Sequence, residues 1–258
     1  MILSGSDRGI LWLGGLMVEG AWIAGWNSEQ ASRTTNHKPI MNRLKTALLL
    51  TVTTLALFSC RRDEIHGSGN IITQDRSVPA FENVLIEDAV KANIRYGATQ
   101  QVIVRTDAVA IGKVRTTVSN NTLVLDLNDH HNYHHINFEV DVVMPVIQRL
   151  THEGVSNSSL SGFYNLDALE VVHDGVGNLE FHGSADYLSI VHDGVGQLRA
   201  FDFPVDTCQV GHSGVGNIEV TVFDRIQGYL SGVGNVYYRG TPQLNITQTG
   251  VGHAIHVD

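Results

Sequence analysis

Basic residues are scarce in this chain. Seventeen lysines and arginines stand against 26 aspartates and glutamates, a formal net charge of −9. No Lys/Arg stripe runs along any segment, and neutralising phosphates needs one, so the balance argues against a nucleic-acid partner. Cysteine is nearly absent. Cys60 has a reading of its own, given below, and Cys208 falls in a strand-like run where a small buried hydrophobe is expected. Only five prolines accompany 26 glycines, so the glycine is positional and not a mark of low complexity. Sustained helical periodicity is missing as well, with Val109 to Val118 the one stretch that suggests it.

Long apolar runs are few. One of them, Ala47 to Phe58, follows Met41, Asn42, Arg43 and Lys45 and ends Leu57-Phe58-Ser59-Cys60. It is shorter than the roughly 20 residues a spanning helix needs, and it fits a signal-peptide h-region. The ending resembles the lipobox of bacterial lipoproteins, with Phe58 as its departure. That resemblance implies cleavage before Cys60 and lipid on Cys60. Residues 41–59 are therefore expected to be a lipoprotein signal peptide, with 1–40 a mis-assigned upstream extension. The segment 60–70 reads as a polar tether. Residues 61–258 carry 23 acidic and 12 basic side chains, a net of −11. A surface so acidic repels anionic headgroups, leaving the lipid as the membrane contact.

From Phe81 to Val143 the pattern is β. Short alternating runs at 81–86, 92–96, 101–105, 123–127 and 136–142 are punctuated by turn residues such as Gly97, Asp107 and Asn120-Asn121. A repeat then takes over, from 150 to 258. Its anchors are Gly154-Val155-Ser156, Gly175-Val176-Gly177, Gly194-Val195-Gly196, Gly214-Val215-Gly216, Gly232-Val233-Gly234 and Gly250-Val251-Gly252, at spacings of 21, 19, 20, 18 and 18 residues. A period near 20 predicts an all-β solenoid over 71–258, with coils of 18–21 residues. Parity puts Leu169, Val171, His173, Gly175, Gly177, Leu179 and Phe181 on one inward face, if the strand runs straight through. Val176, Asp174, Asn178 and Glu180 share the other.

The Gly67-Ser68-Gly69-Asn70-Ile71 segment, the Phe81-Glu82-Asn83-Val84 strand start and the tandem Gly-x-Gly-Asn units resemble the putative auto-transporter adhesin, head GIN domain family, over roughly residues 65–258. The resemblance implies a right-handed parallel β-helix and an adhesin-like role at the bacterial surface. It carries over no catalytic residues. Valine stands here where serine is common between the glycines.

Three groups of residues could carry chemistry. His152, His173, His192 and His212 occupy one column, which Leu230 and Gln248 continue; stacked packing or metal ligation would both use it. His130, His131, His134 and His135 form a tract between two strands, either a solvated hairpin or a weak metal binder. The valine column, Val155, Val176, Val195, Val215, Val233 and Val251, is an interaction surface if exposed, or is buried if the glycines turn the chain. Glu153, Asp174 and Asp193 point away from the neighbouring histidines, so no nucleophile with a base and an orienter is evident.

Together these point to a non-enzymatic, lipid-anchored protein of the cell envelope, at the outer membrane or cell surface. It would act as an adhesin or binding module without a cofactor. Its partners would be the membrane, through the N-terminal lipid, and a surface glycan or another envelope or matrix protein. The alternatives are a polysaccharide-active enzyme on a β-helix, or a metal-binding envelope protein using the histidines.

Overall fold

The computed structural model describes residues 63–128 and 131–258. The expectations for 1–40, for the signal segment 41–59, for Cys60 and for His130 fall outside the described residues. Within them the chain is all strand and turn. In order the strands are β1 Glu64–His66, β2 Ile71–Arg76, β3 Asn83–Ile86, β4 Val90–Tyr96, β5 Gln101–Asp107, β6 Val114–Ser119, β7 Thr122–Leu127, β8 Asn132–His134 and β9 Phe138–Met144. They continue as β10 Arg149–His152, β11 Ser158–His173, β12 Leu179–His192, β13 Leu198–His212, β14 Ile218–Leu230, β15 Val236–Arg239, β16 Gln243–Gln248 and β17 Ala254–His256. The helical suggestion at Val109 to Val118 is not met. Consecutive turns at 108–113, closed by Ala110 N–H to the Asp107 carbonyl and Lys113 N–H to the Ala110 carbonyl, lead directly into β6.

The expected right-handed parallel β-helix over 71–258 is corrected. Fifteen strands form one mixed sheet, in which β2 and β5, β5 and β9, and β6 and β7 pair antiparallel; β1 and β8 form a separate two-stranded sheet. For β6 and β7, connection length supplies the physical reason. Two residues join β6 to β7, enough for a hairpin only, whereas a parallel return takes a dozen residues or more. Those two are Asn120 and Asn121, with φ of 49° and 63°, the left-handed pair that a tight hairpin turn demands. Where the repeat unit supplies about 20 residues, pairing is parallel: β10, β11, β12, β13 and β14 lie side by side in that order.

Register through this parallel stack follows the repeat. Leu150 pairs with Val171, Val171 with Ile190, and Ile190 with Val210, and all four are buried. Leu179, Leu198, Ile218 and Val236 make a second buried column. Cys208 lies between Leu188 and Ile226 in a third, where burial pushes its thiol up to about 12 and leaves it an inert core side chain. The earlier strands extend the same core through Val84, Ile86, Ile94, Leu123, Leu125, Val140 and Val142. On the solvent side of β5 and β9, Arg105 reaches Glu139 at 3.4 Å and Asp141 at 3.0 Å.

The Gly67-Ser68-Gly69 segment is tied down far from the repeats. Buried Asp107 accepts from the Ser68 hydroxyl at 2.8 Å, from Gly69 N–H at 2.7 Å and from Val109 N–H at 3.1 Å. Burial works to raise the Asp107 pKa, and these hydrogen bonds outweigh it, so the carboxyl titrates below its ordinary value. At the far side of the stack β16 pairs with β14 and β17 with β15, and Leu244 and Val251 lie open to solvent.

The glycine pair sets the spacing between repeats. A Cβ on Gly175 would fall deep inside contact distance of the Gly154 carbonyl oxygen, and one on Gly177 would do the same to Ser156. Gly177 also has φ of +144°, a conformation that side chains disfavour. Gly177→Ala is therefore expected to destabilise the fold by about 2 kcal/mol or more, lowering Tm by about 4–8 °C in calorimetry. Gly112, which has open space where a Cβ would stand, is the control. Gly112→Ala should stay within about 0.5 kcal/mol of the parent.

Candidate binding face

Each anchor occupies a five-residue bend between two strands, as at 174–178 between β11 and β12. A bend would ordinarily break the hydrogen-bond ladder. Here the ladder continues through it. Val176 N–H donates to the Gly154 carbonyl at 2.9 Å, and Gly177 N–H donates to the Val195 carbonyl at 2.8 Å. The same two bonds recur at Val195 and Gly196, at Val215 and Gly216, and at Val233 and Gly234. Successive valines thus form an unbroken parallel bridge series from Val155 to Val251.

The amide column completes this ladder. Asn157 Oδ1 accepts from Asn178 N–H at 2.8 Å, and Asn178 Oδ1 from Gln197 N–H at 2.9 Å. Asn217 Oδ1 accepts from Asn235 N–H at 2.9 Å, and Asn235 Oδ1 from His253 N–H at 3.0 Å. The side-chain carbonyl takes the place of a main-chain carbonyl that the bend has turned away. These asparagines hold successive repeats together.

The facing given by parity carries through the bend. Leu169, Val171, His173, Gly175, Leu179 and Phe181 are buried, Asp174, Val176 and Glu180 face solvent, and Gly177 is half-buried. Val155, Val176, Val195, Val215, Val233 and Val251 are 48% to 75% exposed. At about 4.8 Å per rung the six make an apolar stripe about 24 Å long. Glu153, Asp174 and Asp193 line one side of it, followed by Ser213, Ser231 and Thr249, all exposed. The acid flank is joined at one end by Glu87, Asp88 and Asp126, which surround an open pocket of about 410 Å³ with Arg115 and Glu153. Arg115 is paired with Asp126 there. The Glu87 carboxyl is pushed up by its partial burial and by Asp126, Glu153 and Asp88.

Directly beneath the stripe lies the histidine column. His152, His173, His192 and His212 are fully buried, with successive ring centroids 5.1, 4.8 and 4.9 Å apart. The hydrogen bonds assign the protons. Ser156 Oγ donates to the Val90 carbonyl at 2.7 Å, so it accepts from His152 Nε2 at 3.1 Å. His192 Nε2 donates to the Gly196 carbonyl at 3.1 Å, leaving its Nδ1 to accept from His173 Nδ1 at 3.0 Å. His212 Nδ1 donates to the His192 carbonyl at 3.3 Å. The donating nitrogen thus alternates between Nε2 and Nδ1 along the column. Desolvation lowers the pKa of His152 and His192, and with the neighbouring rings it takes His173 down to about 3.

The other predicted residues do not come together. His131 Nε2 lies 3.2 Å from Lys113 Nζ, while His135 is exposed with φ of 57°. His134 turns instead toward β1, where it stacks on His66. That contact joins residues 68 positions apart, and its one sequence signal was the matched alternation of Glu64-Ile65-His66 and Asn132-Tyr133-His134. A second surface was not anticipated: a groove of about 710 Å³ lined by Val146, Ile147, Leu166, Asp167, Glu170 and Tyr187. Its Glu170 is engaged by Arg149 at 2.6 Å, and Tyr187 donates to Gln209 Oε1 at 2.7 Å.

Comparison with known proteins places these features in context. A family model described as putative auto-transporter adhesin, head GIN domain, matches residues 80–242. Among solved structures, a putative adhesin from Bacteroides fragilis is 18% identical over 75% of this chain and 100% of its own, with a TM-score of 0.65. Putative adhesins from Parabacteroides merdae and Parabacteroides distasonis are each 17% identical over 76% of this chain and 100% of theirs, with TM-scores of 0.47 and 0.48. The likeness to the first is one of fold. No curated protein matches the chain.

The neutral column makes stability depend on pH. The unfolded chain protonates its histidines near 6.5. The folded chain holds His173 neutral down to about 3, so the unfolded state binds more protons in between. Stability contributed by the column is therefore present above pH 6.5 and is lost as pH falls, by at most about 1.4 kcal/mol per pH unit for each such histidine. Urea midpoints should fall from pH 7 to pH 5.5, above the ordinary carboxylate values near 4. His173→Leu, which copies Leu230 in the same column, should lower the pH 7 midpoint, because His192 Nδ1 loses its donor, and should flatten the slope. An unchanged slope would refute the assignment.

Proposed function

This chain belongs to the putative auto-transporter adhesin, head GIN domain family, and from that premise we propose that it is a non-catalytic binding module of the cell surface, held to the membrane by lipid on Cys60. The observation that carries the reading is the exposed valine ladder. Six β-branched side chains stand in solvent at one column, while the packing duties of each bend fall to the glycines and the amides. A regular apolar stripe of this length is costly to leave bare, and such patches commonly mark interaction sites. Its acid and hydroxyl flank supplies acceptors at the same repeat distance. An extended ligand with its own repeat, such as a surface glycan or a matrix protein, matches that geometry.

The groove beside Tyr187 is a less favoured site for chemistry. Glycoside hydrolysis uses two opposed carboxyl groups, one of them free to donate a proton. Of the two acids lining this groove, Glu170 is bound by Arg149, which leaves Asp167 without an opposed carboxyl in the lining.

Two measurements test the proposal. Wild-type protein should bind members of a panel of arrayed glycans and coated matrix proteins. The triple variant Val176→Lys, Val195→Lys, Val215→Lys should bind at least about tenfold more weakly, a loss of about 1.4 kcal/mol. Its Tm should change little, because exposed substitutions usually stay within about 0.5 kcal/mol each. Equal binding by parent and variant would remove the stripe from the reading, and a blank panel for the parent would count against adhesion. Separately, cells fed an alkyne fatty acid should label the parent and not Cys60→Ala, and the variant should leave the membrane fraction. Labelling that survives the substitution would place the anchor elsewhere.

A further inference from the structure

We infer that Glu64, His66 and His134 form a binding site for a divalent transition metal of the zinc class, and that the metal fastens β1 to β8. The two strands pair parallel, with Glu64 opposite Asn132, Ile65 opposite Tyr133 and His66 opposite His134. Strand alternation sends Glu64, His66 and His134 to one side. The opposite side is anchored, since Tyr133 packs edge-on against Phe138 with centroids 4.9 Å apart. Main-chain bonds hold the pair at both ends: Asn132 N–H to the Asp63 carbonyl at 3.2 Å, and Gly67 N–H to the His134 carbonyl at 2.9 Å.

The donor atoms converge on this side. One ligand atom from each of the three residues lies within 4.8 Å of the other two. The two imidazoles stack at 4.7 Å with 16° between planes, and His66 Nε2 is 3.6 Å from Glu64 Oε2. His134 Nε2 is buried and has no hydrogen-bond partner, a group that ordinarily costs stability unless something satisfies it. A metal ion supplies what is missing. Two neutral imidazoles and one carboxylate are a donor set for zinc, copper or nickel, and they leave a fourth position open. Glu64 and His66 are exposed and so have room to rotate toward the bond lengths near 2.0–2.2 Å that zinc takes.

Without a metal the same residues make a solvent-exposed His–Glu pair and a ring stack, contacts that contribute little. With one, the three-residue β1–β8 ladder gains a cross-link between segments almost 70 residues apart in sequence. The metal then acts on the segment that leads into the head.

The test is zinc titration into EDTA-treated full-length protein by calorimetry, followed by hydrogen exchange. One Zn²⁺ is expected per chain, with slowed amide exchange at 64–67 and 132–134. His66→Gln and Glu64→Gln change exposed side chains and should leave the fold intact. Each should weaken binding at least about tenfold, in line with the sensitivity of metal sites to their ligand shells. His134→Ala should do the same, and its circular dichroism will show whether β8 survives. The triple variant His130→Ala, His131→Ala, His135→Ala should retain the parent affinity within about twofold. The proposal is overturned if the parent does not bind zinc, if binding survives His66→Gln with Glu64→Gln, or if that triple variant abolishes it.

Discussion

Main-chain hydrogen bonding through the bends is the constraint on which this molecule depends. Parallel strands need each repeat to lie about 4.8 Å from the last along its whole length, including where the chain turns. At the bends only glycine lets one backbone approach another so closely. The valine N–H, the second glycine N–H and the asparagine Oδ1 then keep the ladder continuous. Because the register holds across the bends, the residues flanking them stack in columns. The leucine, histidine and valine columns are consequences of that one arrangement.

Continuity at the backbone lets the interior tolerate an unusual content. Imidazoles in an apolar core would be expensive if charged, and burial disfavours the charged form of His152, His173 and His192. Their alternating protons let a ring serve its neighbour as donor or acceptor, as between His173 and His192. Where the column reaches Leu230 the polar chain simply stops. The column is thus a packing solution with a proton order written into it, lying under the face that carries the valines.

Much of the repeat region was legible in the sequence because its determinants are local. A period near 20 and the inward parity of Leu169, Val171 and His173 follow from residues close together in the chain. The same parity carried through the bend, since Leu179 and Phe181 beyond Gly177 are buried and Val176 before it is exposed. Asn178 was read as a polar flank, because nothing nearby reveals that its side chain bonds to a residue 19 positions on. The region 71–144 was misjudged for a related reason. Its β6–β7 pair follows from the short Asn120-Asn121 connection, while the antiparallel pairs of β5 with β2 and β9 join strands distant in sequence, and a period drawn from the second half of the chain says nothing about either. The approach of His66 to His134 is set by chain topology, which pattern alone does not report.

The one-sided pairing of β16 and β17 bears on how the stack opens. Strands β12 and β13 each carry a ladder on both sides, whereas among the described residues β16 pairs with β14 alone and β17 with β15 alone. Releasing β12 means breaking two ladders at once, and releasing β17 means breaking one, so amide exchange should slow from β17 inward. The valine stripe therefore runs from a firmly clamped stretch at Val195 to a lightly held one at Val251, and a ligand seated along it would stiffen the latter most.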